Sequence, residues 1–292
     1  MNIFSLSSSN VLSTRPATEP ASWAFVTGAT SGIGRDIADE LASRGFNIVI
    51  HGRRADRLET VSESISSKHA CQVRTFCFDA GTSVDSDTSA WKSLDSLKDL
   101  NLRVLVNNVG TGHDRAELAP FSTTPTEQIA ALLNVNVGFM TRLTHALLPV
   151  LRRTASPASP SFIINAGSLA DQGLPYYSVY SGTKAYIRAF SNALDTELSA
   201  EGADVRVVAS IIGDTDSDGH RVGVSLFTPS SMDMARSVLD TAAKSAGGAT
   251  SPNWGHWLQE WLVRLQPYGL RKLGIIAHFR TLLKEQQGKK EL

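Results

Sequence analysis

The residues best able to do chemistry in this sequence of 292 residues are Tyr180 and Lys184, which lie four positions apart. In an α-helix, residues with this spacing share a face, so the lysine ammonium can approach the phenol. A phenol is a poor proton donor at neutral pH, and about 4 kcal/mol of preferential stabilisation of the phenolate is needed to make it an effective one. A neighbouring cation in a partly desolvated site supplies such stabilisation. The pair predicts acid–base chemistry, although many exposed helices carry a similar pair.

A second chemical signal is a glycine-rich turn at residues 27–34, which follows a short apolar run. Glycine lets the backbone turn tightly and approach a phosphate, and the helix that follows offers free N–H groups to an anion. A strand, such a turn and a helix in this order favour a dinucleotide site over a purely structural turn. The residues expected to form this site are Gly28, Thr30, Ser31, Gly32, Ile33 and Gly34.

The end of the second predicted strand indicates which dinucleotide binds. Two arginines, Arg53 and Arg54, stand where NAD-binding domains usually place an acidic residue for the ribose 2′-hydroxyl. A carboxylate would repel a 2′-phosphate, whereas a guanidinium binds one with bidentate geometry. The sequence therefore predicts NADP(H) with Arg53 as the anchor, against the plainer interpretation of two solvated arginines after a strand.

These residues are carried by an alternation of strand and helix patterns that begins at Trp23. The predicted strands have no polar face, which indicates a parallel sheet covered by helices on both sides. We predict strands at residues 24–27, 47–51, 72–78, 103–107, 161–165 and 205–211, and helices at residues 34–43, 57–67, 89–100, 126–152, 179–201 and 231–245.

The predicted organisation is a flexible, serine-rich tail at residues 1–22, a doubly wound α/β domain of about seven strands at residues 23–250, and a helical extension at residues 251–292. The extension carries an aromatic stripe at helical spacing. We expect the stripe to pack against the main domain or another subunit, with a substrate channel and a membrane surface as the open alternatives. The stripe residues are Trp254, Trp257, Trp261 and Leu265.

Composition excludes several other classes of protein. The 28 basic and 28 acidic residues cancel, so net charge supplies no attraction to nucleic acid. No stretch of 18 consecutive apolar residues occurs, so no transmembrane helix is predicted. The two cysteines and seven scattered histidines lack the spacing of a disulfide framework or a metal site, so no metal is predicted. We expect a cytoplasmic protein.

Taken in order, the motifs resemble those of the short-chain dehydrogenases/reductases over about residues 23–250. The turn at residues 27–34 is similar to their TGxxxGxG loop, residues 107–110 to their NNxG turn, and Tyr180 with Lys184 to their YxxxK motif. Neighbouring residues resemble the branch of 3-ketoacyl-CoA reductases and 17β-hydroxysteroid dehydrogenases. The resemblance implies a Rossmann-type fold and an oxidoreductase.

The resemblance also implies a role for each matched residue. Tyr180 would donate a proton to a carbonyl oxygen while NADPH delivers hydride to the carbon, and Ser168 would hydrogen-bond the same oxygen. Lys184 would bind the nicotinamide ribose, Asn136 would hold a water in a proton relay, and Asp79 would lie near the adenine. The implied cofactor contacts beyond the glycine-rich turn are Arg53, Asp79, Asn108, Gly110, Lys184 and Gly213.

The sequence departs from the family pattern in three ways. Ser168 precedes Tyr180 by 12 positions where the family usually has 13, which indicates a shorter loop. Ile212-Gly213 stands in place of the expected Pro-Gly, which predicts a looser backbone beside the nicotinamide. Membrane-bound relatives carry a hydrophobic N-terminal anchor that we do not find here. This last departure argues against a membrane-bound location and against a role in fatty-acyl elongation. Peripheral membrane contact and the cytosolic face of the endoplasmic reticulum are the alternatives to a cytoplasmic location.

The predicted function is the NADPH-dependent reduction of a ketone on a small apolar or acyl substrate to a secondary alcohol. By resemblance, the helices at residues 126–152 and 179–201 would pair subunits in a homodimer or homotetramer. Two other classes stay open, namely a fold relative recruited to cyclisation or dehydration, and an NADP-sensing binding protein. The intact Ser168, Tyr180 and Lys184 argue against both. Acyl-CoA, steroid and secondary-metabolite ketones are not distinguished.

Overall fold

The computed structural model describes Leu12 and residues 21–82, 91–92, 94–112 and 118–290, with the main chain alone for residues 287–290. Apart from Leu12 and residues 21–22, the predicted N-terminal tail lies outside the described residues. Leu12 itself is buried in the core.

A seven-stranded sheet forms the centre of the molecule. Its strands are β1 (Trp23–Val26), β2 (Asn47–Gly52), β3 (Val73–Cys77), β4 (Leu102–Asn107), β5 (Ser161–Ser168), β6 (Val205–Ile212) and β7 (Gly248–Thr250). All neighbouring pairs are parallel, in the order β3-β2-β1-β4-β5-β6-β7. The direction of winding reverses between β1 and β4, the position at which doubly wound sheets bind ligands beyond the carboxyl ends of their strands. The predicted doubly wound fold is confirmed.

Helices cover both faces of this sheet. They are α1 (Gly32–Ser43), α2 (Ala55–His69), α3 (Thr126–Leu133), α4 (Met140–Thr154), α5 (Ser178–Ala200), α6 (Ser231–Lys244), α7 (Trp254–Leu265) and α8 (Tyr268–Lys290). Helices α1, α2 and α6 contribute to one core layer, and α4 and α5 contribute to the other. Across the described ranges, no helix combines the length and the apolar character needed to cross a bilayer.

Strand β1 shows why the strands have no polar face. Ala24 and Val26 pack into the core layer formed by α1, α2 and α6, while Trp23 and Phe25 pack into the opposite layer. Successive side chains of a strand point to opposite faces, so a strand buried on both sides must be apolar throughout. The sequence pattern therefore identified the central strands correctly.

Two predicted elements differ from the structure. The helix predicted at residues 89–100 is only partly present in the described residues: residues 91–92 are α-helical, whereas Leu94–Leu97 form a short 3₁₀ helix that buries the two leucines three positions apart. Strand β7 completes the predicted number of about seven strands but was not located in the sequence, because three residues are too few to show an alternating pattern. Gly247, with φ +114°, leads into this strand, and a side chain there would overlap the Asp195 carboxylate.

The long helix predicted at residues 126–152 contains an irregularity in its middle. A π-helical segment, Asn134–Phe139, joins α3 to α4. Such segments widen the helix locally and occur often at functional sites, because they reorient individual side chains. Here the reoriented residue that matters is Asn136, which is buried.

The aromatic stripe of α7 is left about half exposed by its own chain, although the ring centroids of Trp254 and Phe227 are 5.9 Å apart. Trp254, Trp257, Trp261 and Leu265 are 56%, 55%, 47% and 60% exposed. The other face of α7 is held instead by polar contacts, in which the Arg188 guanidinium donates to Glu260 at 2.6 Å. Of the two expected alternatives, the stripe therefore does not cover the main domain, because ion pairs on the other face attach this helix. Packing of the stripe against another subunit stays a prediction.

Candidate active site

The glycine-rich turn connects β1 to α1 in a form that tolerates few side chains. Gly28 has φ +65°, and a β-carbon there would lie 3.0 Å from the Val109 Cα. A β-carbon on Gly34 would overlap the Asn108 amide and the Gly28 carbonyl oxygen. Asn108 in turn donates from its side-chain amide to the carbonyl of Thr27 at 3.1 Å. The turn after β1 and the turn after β4 therefore pack as one unit at the switch point.

The first turn of α1 has the properties of an anion site. Ser31 occupies the N-cap position, yet its side chain accepts no hydrogen bond from the helix. Free N–H groups at a helix N-terminus, together with the helix dipole, favour phosphate. The Gly32 N–H lies 3.4 Å from Asp218 Oδ2, a long contact that an anionic ligand would replace. Thr30 packs under the same turn, where a β-carbon on Gly52 would lie 2.7 Å from its methyl group.

His51 forms a hydrogen bond with this turn, although the sequence did not single it out for function. Its Nδ1 accepts the N–H of Gly28 at 3.2 Å, and its Nε2 lies 3.0 Å from the carbonyl oxygen of Phe78. The imidazole stacks on Phe139 with a centroid distance of 4.7 Å. Because Nδ1 accepts, Nε2 carries the proton, and the neutral ring links the ends of β1, β2 and β3.

Burial lowers the pKa of His51 to about 4, since the charged ring is poorly solvated there. The unfolded chain, with a histidine pKa of about 6.5, binds this proton first as the pH falls. Stability from this group is therefore complete above pH 6.5 and declines toward pH 4. We expect the wild type to lose about 2 kcal/mol more than His51→Gln in urea unfolding free energy between pH 8 and pH 5. Equal losses in the two proteins would show that His51 does not titrate in this way.

Arg53 and Asp79 lie beyond the carboxyl ends of neighbouring strands. Arg53 follows β2, is exposed, and has no ion-pair partner within the described part of the chain. Arg54 differs, because its guanidinium is paired with Asp56 at 2.6 Å. Asp79 follows β3, and its carboxylate accepts the N–H of Gly81 at 2.9 Å. Among the residues that the structure describes, the Arg53 guanidinium, unlike that of Arg54, forms no ion pair, so this side chain is available to a ligand.

Tyr180 and Lys184 share one face of α5, as the spacing predicts. The Lys184 ammonium lies 5.5 Å from the centroid of the Tyr180 ring. It is 6% exposed and donates to the carbonyl oxygen of Ala166 in β5 at 2.8 Å. The strand thus fixes the lysine, and the remaining N–H donors are left for the phenol, a ligand or water.

Ser168 is the last residue of β5 and caps the short helix that follows it. Its Oγ accepts the N–H of Ala170 at 3.2 Å. An oxygen that accepts in this way keeps its own proton free to donate elsewhere. Between Ser168 and α5 the backbone turns through Gly173 at φ +88° and Tyr176 at φ +65°. The two left-handed residues allow a connection one residue shorter than the family pattern.

Asn136 uses its amide to hold the turn after β4. Its Oδ1 accepts the N–H of Thr111 at 2.8 Å, while its Nδ2 donates to the Thr111 carbonyl at 2.8 Å and to Thr183 Oγ1 at 3.1 Å. Both amide donors are therefore engaged. A β-carbon on Gly110 would lie 3.4 Å from Asn136 Oδ1 and 3.6 Å from Lys184 Nζ. The absent side chain leaves open space directly beside the lysine.

The corner after β6 is held more firmly than its sequence predicts. The N–H of Gly213 donates to Nδ1 of His256 in α7 at 3.0 Å. Nε2 of the same ring lies 3.1 Å from the Asp214 carbonyl oxygen and 3.2 Å from that of Phe227. A β-carbon on Gly213 would lie 2.7 Å from the ring. The expectation of a looser corner is wrong, because a buried histidine takes over the restriction that proline would impose.

A buried ion-pair network attaches α7 to the same region. Arg188 of α5 is paired with Asp171, which follows Ser168, and with Glu260 of α7. Arg264 also donates to Glu260, at 2.9 Å. These cations and the Ser251 hydroxyl hold the pKa of Glu260 below its usual range despite burial, which acts in the opposite direction. The C-terminal helices are thus fixed to the segment that connects Ser168 to Tyr180.

The arrangement fits a nicotinamide dinucleotide better than a metal. Arg53 after β2, the uncapped end of α1 after β1 and the open space at Gly110 after β4 follow one another along the carboxyl edge of the sheet. In the part of the chain that the structure describes, no three His, Cys, Asp or Glu side chains are grouped as metal ligands.

Sequence reasoning missed the two histidines for different reasons. His51 stands next to the glycine at the end of β2. A histidine at the end of a buried strand could therefore have been recognised from the sequence as a residue beside the site. His256 lies 43 positions from its partner Gly213, and no local pattern announces such a contact.

Known proteins resemble this chain in sequence. A family model described as short chain dehydrogenase matches residues 22–222. The chain is 34% identical over 248 residues to a very-long-chain 3-oxoacyl-CoA reductase of Debaryomyces hansenii, covering 81% of this chain and 69% of that protein. It is 33% identical over 264 residues to the protein of the same name from Aspergillus clavatus, covering 87% of this chain and 73% of that protein.

Solved structures resemble it in fold. A 7β-hydroxysteroid dehydrogenase superposes with a TM-score of 0.71 at 18% identity, covering 84% of this chain and 92% of that one. A short-chain dehydrogenase from Sphingobium yanoikuyae in complex with NADPH gives a TM-score of 0.68 at 22% identity, covering 85% of this chain and 97% of that one. At these identities the likeness shows the fold alone. The sequence matches go further: this chain belongs to the short-chain dehydrogenase family and is an oxidoreductase acting on C=O and CH–OH groups.

Proposed function

We propose that the protein reduces the 3-oxo group of an acyl thioester to a secondary alcohol, with NADPH as the reductant. The observation that carries this proposal is the pair on α5, where the buried Lys184 ammonium lies 5.5 Å from the Tyr180 ring centroid. The names of the fungal relatives, which are 3-oxoacyl-CoA reductases, support the substrate class. When bound, the reduced dinucleotide supplies the hydride that goes to the carbonyl carbon.

Tyr180 acts as the proton donor in this proposal. Its hydroxyl protonates the carbonyl oxygen as negative charge develops there, which completes the alcohol. Lys184 favours this transfer, because its positive charge stabilises the phenolate left behind. The hydrogen bond from Lys184 to the Ala166 carbonyl orients the ammonium before substrate arrives.

Ser168 binds the same carbonyl oxygen from the end of β5. Its Oγ already accepts the N–H of Ala170, so the hydroxyl proton is directed toward another acceptor. A donor held in place in advance stabilises the developing alkoxide without reorganisation during the reaction.

Asn136 acts mainly as a positioning residue. Its amide fixes the Gly110–Thr111 turn beside Lys184 and ties that turn to Thr183 in α5. Because both amide donors are engaged, a relay water would be held as a donor to the free lone pair of Oδ1. The prediction that Asn136 holds a water is therefore kept, with Asn136 acting only as the hydrogen-bond acceptor.

In the dinucleotide site, some residues would contact the phosphates of the cofactor and others its adenine and nicotinamide ends. The N–H groups at the start of α1, in the turn Gly28–Gly34, would hold the pyrophosphate, and Arg53 would hold the 2′-phosphate that distinguishes NADPH. Asp79 would bind near the adenine. The nicotinamide end would contact Asn108, Gly110, Lys184 and Gly213.

A direct assay tests this function. Purified protein is mixed with NADPH and a long-chain 3-oxoacyl-CoA, and NADPH consumption is compared with the amount of 3-hydroxyacyl-CoA formed. We expect one alcohol per NADPH oxidised, and slower turnover with a steroid ketone. Formation of a cyclised or dehydrated product without NADPH consumption would refute the proposal and favour the non-redox alternative.

Two further predictions remain open to experiment. The first is a cytoplasmic location, or one at the cytosolic face of the endoplasmic reticulum. The second is a homodimer or homotetramer paired through α3, α4 and α5, which the partly exposed stack of Tyr186 on Phe190 supports, with ring centroids 5.7 Å apart.

A further inference from the structure

A cleft lies between α8 and the segment that connects Ser168 to α5. Its volume is about 270 Å³. Leu174, Pro175, Ile275 and Ile276 give it apolar walls, and Arg271 and Lys272 give it two cations. No role for this cleft follows from the proton-transfer residues or from the dinucleotide site.

The cleft carries net positive charge. None of its lining residues is acidic. Arg271 is held in place, because it donates to Gln172 Oε1 at 3.2 Å and its guanidinium lies 5.7 Å from the Tyr268 ring centroid. The nearest acid along the chain, Asp171, is neutralised by Arg188 and is 2% exposed. The positive charge of Arg271 and Lys272 is therefore free to attract an anion.

The cleft is coupled closely to the proton donor. Leu174 in its wall donates its N–H to Ser181 Oγ at 3.0 Å, and Ser181 follows Tyr180 directly. Tyr176 has φ +65°, a conformation that non-glycine residues rarely adopt. Phe279 of α8 is 7% exposed and packs on Tyr176 at 6.0 Å, which helps hold this backbone. Helix α8 thus forms one wall of the cleft and also supports the strained segment leading to α5.

We propose that this cleft binds the phosphate-bearing carrier arm of the substrate, a coenzyme A thioester, through Arg271 and Lys272. The apolar walls pack against the uncharged part of the arm, and the guanidinium and ammonium contact its phosphates. A volume near 270 Å³ is below that of a pocket for a whole drug-sized ligand, about 300–1,000 Å³, so only part of the carrier enters. This inference rests on the proposed reduction of an acyl thioester, and it adds the residues that distinguish a CoA ester from other ketones.

The test compares two thioesters with the same 3-oxoacyl chain, one of coenzyme A and one of N-acetylcysteamine, which has no phosphate. The double variant Arg271→Gln/Lys272→Gln should raise KM for the CoA thioester at least about 10-fold, because two phosphate contacts are lost. Its kcat/KM for the N-acetylcysteamine thioester should stay within about twofold of wild type. The control Arg280→Gln/Lys284→Gln removes two exposed cations from the same helix, and should change neither value.

Binding is measured separately by titrating coenzyme A into protein saturated with NADP⁺, so that the adenosine moiety of coenzyme A cannot occupy the dinucleotide site. The Arg271→Gln/Lys272→Gln protein should bind coenzyme A at least about 10-fold more weakly than wild type. Unchanged coenzyme A affinity, or equal losses with both thioesters, would overturn the inference while leaving the proposed function in place. If the wild-type protein reduces neither thioester, the proposed function and the inference about the cleft are both refuted.

Discussion

Replacing Tyr180 by phenylalanine is expected to lower kcat for ketone reduction about 10³-fold, equivalent to about 4 kcal/mol of transition-state stabilisation. The variant removes one hydroxyl and leaves the half-buried ring against Lys184. Without the phenol, the developing alkoxide lacks a positioned proton donor and must take its proton from water. The dissociation constant for NADPH, measured by fluorescence titration, should change less than about threefold, because Lys184 remains attached to Ala166.

Tyr186→Phe provides the matched control on the same helix. Its hydroxyl bonds to Thr141 Oγ1 at 3.0 Å and its side chain is 37% exposed. We expect its kcat to remain within about twofold of wild type, since a single exposed hydrogen bond contributes little. If Tyr180→Phe were as active as Tyr186→Phe, another group would have to be the proton donor.

The second large effect concerns the choice of dinucleotide. Arg53→Asp should weaken NADPH binding about 100-fold or more, because a charge-assisted contact to the 2′-phosphate is exchanged for repulsion. NADH has no 2′-phosphate, so its affinity should fall less than about threefold. The ratio of the two dissociation constants, measured by titration at low ionic strength, gives the change in preference.

Arg54→Asp is the control that distinguishes the contributions of the two neighbouring arginines to NADPH binding. Arg54 is already paired with Asp56 in solvent, and exposed pairs of this kind contribute little free energy. We expect its effect on NADPH to be less than about 10-fold. A larger loss of NADPH affinity with Arg54→Asp than with Arg53→Asp would assign the 2′-phosphate contact to Arg54. If each variant lost affinity for NADPH and NADH equally, neither arginine would contact the 2′-phosphate.

The sequence predicted those features that depend on local spacing. Tyr180 and Lys184 share a helix face because four positions make about one turn. The turn at residues 27–34 lies at the sheet edge because a strand precedes it and a helix follows. The apolar strands predicted a sheet buried on both sides, as Trp23 and Ala24 of β1 illustrate.

Features that depend on distant contacts were missed. Nothing near Gly213 in the sequence announces that His256 of α7 accepts its N–H. The stripe at Trp257 and Trp261 has the spacing of a packed helix face, yet ion pairs at Glu260 decide which side of α7 faces the domain. Hydrophobic periodicity finds the apolar face of a helix, but only tertiary contacts decide whether that face is covered.

In the proposed reaction, hydride passes from NADPH to the carbonyl carbon and a proton passes to the carbonyl oxygen. NADPH carrying deuterium at the transferable position of the nicotinamide is incubated with a 3-oxoacyl-CoA, and the product is examined by mass spectrometry. We expect one deuterium, bonded to carbon 3 of a 3-hydroxyacyl-CoA, in every product molecule. A product without deuterium, or one in which the carbonyl survives, would contradict the proposed reaction.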